Sequence, residues 1–477
     1  MKRLFLFIVL LFITGMFSSC KKWLSVQPED QFTQDQIFTS TTGTQQALNA
    51  IYLQMGDNKL YGAYMTMVFP EILAQQYNII ASSHTLGPIT TYTYVDEKSV
   101  IFTEAIWTKA FAAIAGVNNF LNGITVNHVL TAEQDSVLRG EAYGLRAYLH
   151  LDMLRLFGPV YASADSTALS IPYYRNISTN FNPYLPANKV MDSIEADLAE
   201  AARLLKNDPV IVWGKGGNPA ANSDPFFQNR NYRMNYYAVK ALQARTYMYR
   251  GNKTGAYDAA NEVITNAQAK FPWITTTALT NDKDNPDRIF SSELLFALQS
   301  VNMYSNYNTY YAPSLTDANI LAPTDARLKT TFEDNSNDFR YTYLWFYPSV
   351  GSKSYRTFYK YADVVKDTMR FRYMMPMIRI SEMYYIAAEC ATDATTAINY
   401  LNTVRYNRNL VNLANTVTLR TELTKEYQKE FIGEGQLFFY YKRINRSTIP
   451  NGTSTASITM TNAKYTAVKP SSETNFH

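Results

Sequence analysis

The chain has 477 residues, 47% hydrophobic and 18% charged, enough to bury one large core or two to three ordinary ones and too apolar for a disordered tail. Its 44 basic and 40 acidic side chains leave a formal charge of +4, too weak a field for the phosphate-neutralising surface that nucleic-acid binding needs. Two cysteines and four histidines argue against a disulfide scaffold or a zinc cluster, whereas 37 tyrosines beside 26 phenylalanines and 5 tryptophans supply many rings with a hydroxyl.

Met1, Lys2 and Arg3 form a basic start, and 4–13 is an unbroken apolar run, well short of the roughly 20 residues that span a bilayer. Residues 1–19 therefore read as a signal peptide. Ser18 and Ser19 before Cys20 match a bacterial lipoprotein box, in which the Cys20 thiol is diacylated, although Phe17 stands where leucine is usual. An ordinary cleaved signal is the plainer alternative, but the other cysteine, Cys390, lies far along the chain. Acyl chains contribute about 0.8 kcal/mol per buried methylene, enough for anchoring without a transmembrane helix. Residues 20–33 read as a lipidated tether and 34–477 as a single domain, in which no later segment reads as long and apolar enough to span a membrane.

Along that domain the first helix pair is expected at 44–55 and 64–76. The next joins 102–122, with Ile106, Ala110, Ala113, Val117 and Leu121 at helical spacing, to a helix that Thr131 and Gln134 start with a capping box and Gly158-Pro159 ends. Further pairs are expected at 188–206 with 234–250, and at 377–391 with 394–408, where Asp393 is the N-cap. The fold class is all-α, with four tetratricopeptide-like helix pairs and no fixed 34-residue period. Between the pairs lie long insertions at 79–100, 161–185, 208–231 and 271–373, rich in Asn, Thr, Ser, Pro and Tyr. Loops of this length usually carry function. A short run at 293–298 reads as a buried strand.

No G-x-S-x-G, H-E-x-x-H or phosphate-loop motif occurs, and 214–217 lacks the strand-to-helix setting of such a loop. His84, His128, His150 and His477 are scattered, and His150, in mid-helix, reads as structural. Glycosidase carboxylates leave no sequence signature, so a surface glycosidase stays open as an alternative. Asp282, Asp284 and Asp287 are a weak calcium candidate, for which a solvated turn is the favoured reading; no cofactor is indicated. Cys390 reads as an inert core thiol, and Arg146 and Asp152 as paired charges that hold neighbouring helices in register.

The aromatic distribution is more informative. Tyr92 and Tyr94 fall in the first insertion, Trp213 in the third, and Trp273, Tyr304, Tyr307, Tyr310, Tyr311, Trp345 and Tyr347 in the last. Exposed rings can cover the C–H face of a pyranose while neighbouring polar side chains bond its hydroxyls, so these are the candidate ligand-binding residues. For any single ring, packing of its own loop is the competing reading. Trp107, Tyr143, Tyr148, Tyr247 and Tyr384 lie on predicted helices and are assigned to the core or to the interface within a helix hairpin.

Several segments, in order, resemble one family. They are Ser18-Ser19-Cys20, the run from Gly140-Glu141-Ala142 through Arg155 to Gly158-Pro159, Lys240 to Tyr247, Asp338-Phe339-Arg340, Ile378 to Glu382, Leu401-Asn402-Thr403-Val404-Arg405, Lys429 to Gln436 with Lys442-Arg443, and Val468-Lys469-Pro470. Together they resemble the SusD/RagB family of nutrient-binding outer-membrane lipoproteins. The resemblance implies an outer-membrane lipoprotein facing the cell exterior that captures oligosaccharides, or peptides in the RagB manner, for a SusC-type TonB-dependent transporter. Lys21-Lys22 departs from the acidic residues that often follow the cysteine in surface-displayed members. A helical scaffold that only assembles with protein partners is a further alternative.

Overall fold

A computed structural model describes residues 34–162, 164–177, 180–220 and 223–475. The signal segment 1–19, Cys20 with its acylation, the tether 20–33 and His477 lie outside the described residues. The longer helices are α1 (Thr41–Met55), α2 (Glu97–Val126), α3 (Ala132–Phe157), α4 (Ala187–Leu204), α5 (Tyr236–Arg250), α6 (Lys253–Ala267), α7 (Met303–Tyr310), α8 (Asp325–Phe332), α9 (Ile380–Cys390), α10 (Ala394–Tyr406), α11 (Leu419–Glu430) and α12 (Gln436–Arg443). Three two-stranded antiparallel sheets pair β1 (Leu294–Gln299) with β4 (Met374–Arg379), β2 (Trp345–Phe346) with β3 (Thr357–Phe358), and β5 (Thr448–Pro450) with β6 (Ser457–Thr459).

Local chemistry sets the helix ends. Gln134 N–H donates to Thr131 Oγ1 at 3.2 Å and Thr131 N–H to Gln134 Oε1 at 3.1 Å, which closes the capping box of α3. Gly158 ends α3 with extended backbone and not as a left-handed cap; a Cβ there would meet Leu154 O at 2.5 Å. The buried Lys442 Nζ donates to the carbonyls of Arg155 at 2.8 Å and Gly158 at 2.7 Å, so a lysine amino group from α12 closes the C-terminus of α3. Later segments reach back further: Ala467 N–H donates to Leu156 O at 3.1 Å, Tyr94 Oη to Lys464 O at 2.6 Å, and Trp107 Nε1 to Glu473 at 3.3 Å.

Each helix packs on the next, α1 through α6 in turn, then α6 on α9, α9 on α10, and α11 against both. The tetratricopeptide-like arrangement is thus present, with three differences from the expected elements. Helix α6 was not expected; its inner face is mainly alanine (Ala256, Ala259, Ala260, Ala267), too weak in apolar contrast to mark a helix. Residues 374–379 form β4, which takes up 377–379 where the start of a helix was expected, because a strand buried throughout shows a continuous apolar run without alternation. The expected helix at 64–76 is a π-turn, Tyr64–Val68, followed by the short helix Phe69–Leu73. Helix α2, at 30 residues, is long and apolar enough by length and composition to cross a membrane, contrary to expectation. Its Ile106, Ala110, Ile114 and Val117 are nevertheless buried, and it packs against α1 and α3 as a core helix.

Many of the charged groups in the core are paired, whereas several buried hydroxyls, that of Tyr385 among them, have no partner among the described residues. Arg146 of α3 grips Asp197 of α4 with two bonds of 2.7 and 2.8 Å, whereas Asp152 pairs with Arg155 on its own helix. Only the first of these ties two helices in register. His150 donates from Nδ1 to Arg146 O at 2.9 Å and accepts Tyr174 N–H at Nε2; burial pushes its pKa down to about 3, so it is a neutral structural imidazole. Cys390 is half-buried with Sγ 3.1 Å from Met248 Sδ, and burial pushes its thiol up to about 11.

A larger buried network joins the last insertion to the C-terminal helices. Lys360 meets Glu434 at 2.5 Å, Glu434 meets Arg379, and Arg408 bonds Glu293 at 2.6 Å and Glu430 at 2.5 Å. Arg340 continues it to Glu430 at 2.9 Å, Glu426 at 2.8 Å and Asp338 at 2.7 Å. Burial alone would raise the Glu426 carboxyl, but Arg340, Lys429 and Arg405 outweigh it and hold it at about 2. A depressed carboxyl contributes stability above its unfolded pKa and loses it as pH falls through the folded value. Stability is therefore expected to fall by about 3 kcal/mol from Glu426 alone between pH 4.5 and 2, and Glu426→Gln should flatten that limb of the urea-midpoint profile.

Candidate ligand-binding face

The first and last insertions meet. Asn78 N–H donates to Ala322 O at 2.8 Å and Thr85 N–H to Ala318 O at 2.9 Å. His84 accepts Leu86 N–H at Nδ1, which leaves Nε2 to donate to Ile320 O at 3.3 Å; burial lowers its pKa, so the ring stays neutral. Next to this seam, the β2–β3 hairpin projects residues 347–356.

The hairpin is built around one buried and one exposed ring. Trp345 is 1% exposed and packs on Phe358 at 4.5 Å, fixing the strand pair to the core. Tyr347, just past the strand, is 53% exposed, and its hydroxyl donates to Asp325 Oδ2 at 2.5 Å. The Arg356 guanidinium lies between the rings of Tyr341, at 4.9 Å, and Tyr347, at 4.8 Å. Its backbone N–H donates to Asp325 Oδ1 at 2.9 Å and its Nη1 to Trp345 O at 3.0 Å. Alongside, Tyr355 Oη donates to Asp317 Oδ1 at 2.7 Å, and Lys353 Nζ donates to the same oxygen at 2.5 Å. The hydrogen bond from Lys353, then that from Tyr355, holds the Asp317 carboxyl below its usual range.

The other expected ligand residues distribute unevenly. Tyr304 is half-buried, with its hydroxyl on Arg372 O and the Arg372 guanidinium 5.3 Å from its ring. Tyr310 is half-buried at the end of α7. Tyr307 is only 8% exposed and packs toward Tyr359 at 6.3 Å, and Phe346 of the hairpin meets the same Tyr359 ring edge-on at 5.2 Å. Thus α7 and the hairpin adjoin through Tyr359. Tyr311 is buried, bonded to Tyr77 at 2.8 Å and to Met67 O at 2.9 Å.

Five expected ring platforms are corrected by burial, Tyr311 among them. Tyr92 and Tyr94 turn inward, Tyr92 donating to Leu73 O at 2.8 Å, so both join the N-terminal half to the core. Trp345 and Tyr307 likewise present no open face. Trp273 is half-buried against Tyr384 at 5.2 Å and Arg408 at 5.4 Å. Trp213 is 51% exposed beside Val212, at the end of the short helix Pro209–Trp213. Asp282, Asp284 and Asp287 do not converge: Asp287 is buried and accepts from Ser291, while Asp282 accepts from Asp284 N–H and Asn285 as an ordinary turn. Among the described residues no group of three His, Cys, Asp or Glu side chains could hold a metal. Residue counting missed Tyr355, Arg356, Asp317 and Asp325; the return strand Thr357–Phe358, facing Trp345–Phe346, is the signal that would have placed the first two at a hairpin tip.

The arrangement offers ring faces, guanidinium and ammonium donors and carboxylate acceptors, all held in place before any ligand arrives. Its shifted carboxyl, Asp317, is lowered, the opposite of what a general acid needs.

Comparison with known proteins agrees with this architecture. Residues 22–216 match the family model described as starch-binding associating with outer membrane, and residues 220–476 match the SusD family model. A SusD-like protein, P38, of Formosa agariphila is 22% identical, with 94% of this chain and 92% of that protein covered. A SusD superfamily protein of Bacteroides thetaiotaomicron has a similar fold, with a TM-score of 0.71 at 21% identity over 91% of this chain and 98% of that one. A SusD-like carbohydrate binding protein of Bacteroides vulgatus superposes with a TM-score of 0.63 at 16% identity, over 86% of this chain and 84% of that one. With matches to both halves and a shared helical frame, the chain belongs to the SusD/RagB family.

Proposed function

We propose that the protein is a lipid-anchored, outer-membrane binding protein that captures an oligosaccharide on the hairpin face and passes it to a SusC-type TonB-dependent transporter. Family membership supports the carbohydrate role and the location. Acylation at Cys20, exterior orientation and delivery to the transporter are parts of the same reading, and they rest on the sequence at 18–20 and on the family.

The observation that carries the choice of face is the Tyr341–Arg356–Tyr347 stack, locked by Asp325. A pyranose laid on Tyr347 meets a ring whose orientation is already fixed, so little side-chain freedom is lost on binding. Arg356, Lys353 and Asp317 beside it bond hydroxyls. Ring stacking at about 1 kcal/mol and hydrogen bonds at about 1 kcal/mol each give micromolar to millimolar affinity after association costs, which suits a protein that releases its cargo. No step in this reading makes or breaks a covalent bond.

The test is calorimetric titration with an oligosaccharide panel. Tyr347→Ala is expected to weaken binding about 5–20-fold, equivalent to about 1–2 kcal/mol, with an unchanged melting temperature. Titrations that do not differ between Tyr347→Ala, Tyr355→Ala and the parent reject this face. Binding of protein digests but of no glycan would select peptide capture, and release of reducing ends from polysaccharide would select a hydrolase.

A further inference from the structure

A second groove, of about 740 Å³, lies where the end of α10 and the 407–412 loop face residues 274–276 and 337–339. None of its lining residues is charged. Asn337, Asn407, Asn409 and Asn412 border it together with the rings of Phe339 and Tyr406. Tyr406 is 75% exposed, an unusual position for a ring of that size, and neighbouring Val411 is 79% exposed.

The loop that forms this wall is fastened from beneath without a ligand. Arg405, held by Glu426 at 2.9 Å, donates from Nε and Nη2 to Val411 O, each at 3.2 Å. Asn402 bonds Leu413 in both directions, at 2.7 and 3.1 Å. Phe339 N–H donates to Arg408 O at 3.2 Å, and Asn409, at φ +62°, reaches Asn337 O with its amide at 3.2 Å, so the two walls are joined. Among the described residues, the side-chain amides of Asn337 and Asn412 make no hydrogen bond within the protein.

We propose that this groove is a second binding site, for a neutral oligosaccharide. Each free amide sets a donor beside an acceptor, the pairing that vicinal hydroxyls satisfy, and Tyr406 offers an open ring face to a pyranose. The missing charge means that no ion must be desolvated and that an acidic sugar gains nothing there. The volume lies within the range of ordinary ligand sites. Phe339 opens the short helix Phe339–Thr342, whose Tyr341 backs Arg356, so one element supports both this groove and the hairpin face.

The test uses the full chain, titrated calorimetrically with hexasaccharides of β-1,4-xylan, β-1,4-mannan, β-1,4-glucan and α-1,4-glucan, with hexagalacturonate, and with a peptic peptide digest. At least one neutral hexasaccharide is expected to bind at two sites. Tyr406→Ala and the Asn337→Ala/Asn412→Ala double variant should each weaken one of them at least tenfold, and Tyr347→Ala should leave that one unchanged. These side chains are solvent-exposed, and a melting temperature equal to the parent's verifies folding. Identical isotherms for parent and Tyr406→Ala overturn the proposal, as does a Tyr406-dependent site that takes only hexagalacturonate or peptides, or no Tyr406-dependent binding to any probe. If binding stays sensitive to Tyr347 while Tyr406 has no effect, the groove fails and the hairpin face stands; if neither ring matters, both fail.

Discussion

Arg408→Met is expected to lower the unfolding free energy by about 3–5 kcal/mol, read as a clear drop in urea midpoint. Arg408 is fully buried, bonds both Glu293 and Glu430, and packs on the rings of Phe290 and Trp273. Methionine keeps much of the packing but leaves Glu293 with Arg379 at 3.8 Å as its remaining ionic neighbour. The loss is thus that of an uncompensated buried carboxylate and not of a cavity. Adding Glu293→Gln to Arg408→Met removes the stranded charge, so the double variant should be more stable than the single one. If the double variant shows the sum of the two single losses, the network does not act as a unit.

Glu71→Gln is expected to do the reverse, and only at higher pH. Glu71 is fully buried; Oε1 accepts the Gly435 N–H at 2.8 Å, while Oε2 has no partner among the described residues. Burial pushes its carboxyl up to about 8, partly offset by the N–H groups of Gly433 and Gly435. A raised carboxyl contributes full stability below its unfolded pKa, and that contribution is lost as pH rises through the folded value. The shift corresponds to roughly 4–5 kcal/mol lost between pH 4.5 and 8. Glutamine keeps the acceptor for Gly435 and never ionises. Urea unfolding at pH 8.5 should show the variant ahead of the parent by several kcal/mol, and at pH 5 the two should lie close together. An equal difference at both pH values would show that Glu71 does not hold its proton in the fold.

Much of the frame was legible because its signals are local. Thr131 and Gln134 cap each other within one turn, and Asp393 accepts the Thr396 N–H at 2.8 Å as its position before α10 implies. What failed depended on partners distant in the chain. Met374–Arg379 has a pattern that fits helix or strand, and its pairing with Leu294–Gln299 decides between them. The ring platforms that proved buried failed for a related reason. Composition marks where tyrosines and tryptophans occur, but the direction each faces is set by what lies beneath: Trp345 is covered by Phe358, whereas Tyr347, two residues on, has left the strand and faces solvent. Arg356 matters because Tyr341 and Tyr347 enclose it, a relation invisible to counting.

The bonds that reach back from the last segments to α2 and α3 bear on how the protein is made. Lys442 closes α3, Ala467 pairs with Leu156, and Trp107 finds its indole partner at Glu473. A polypeptide that emerges amino end first must therefore wait for nearly its whole length before its earliest helices can be sealed. Until those last segments arrive, the unfinished chain leaves the apolar faces of α2 and α3 unsealed, so a cut that removes residues 442–475 would cost the amino-terminal helices their closing bonds.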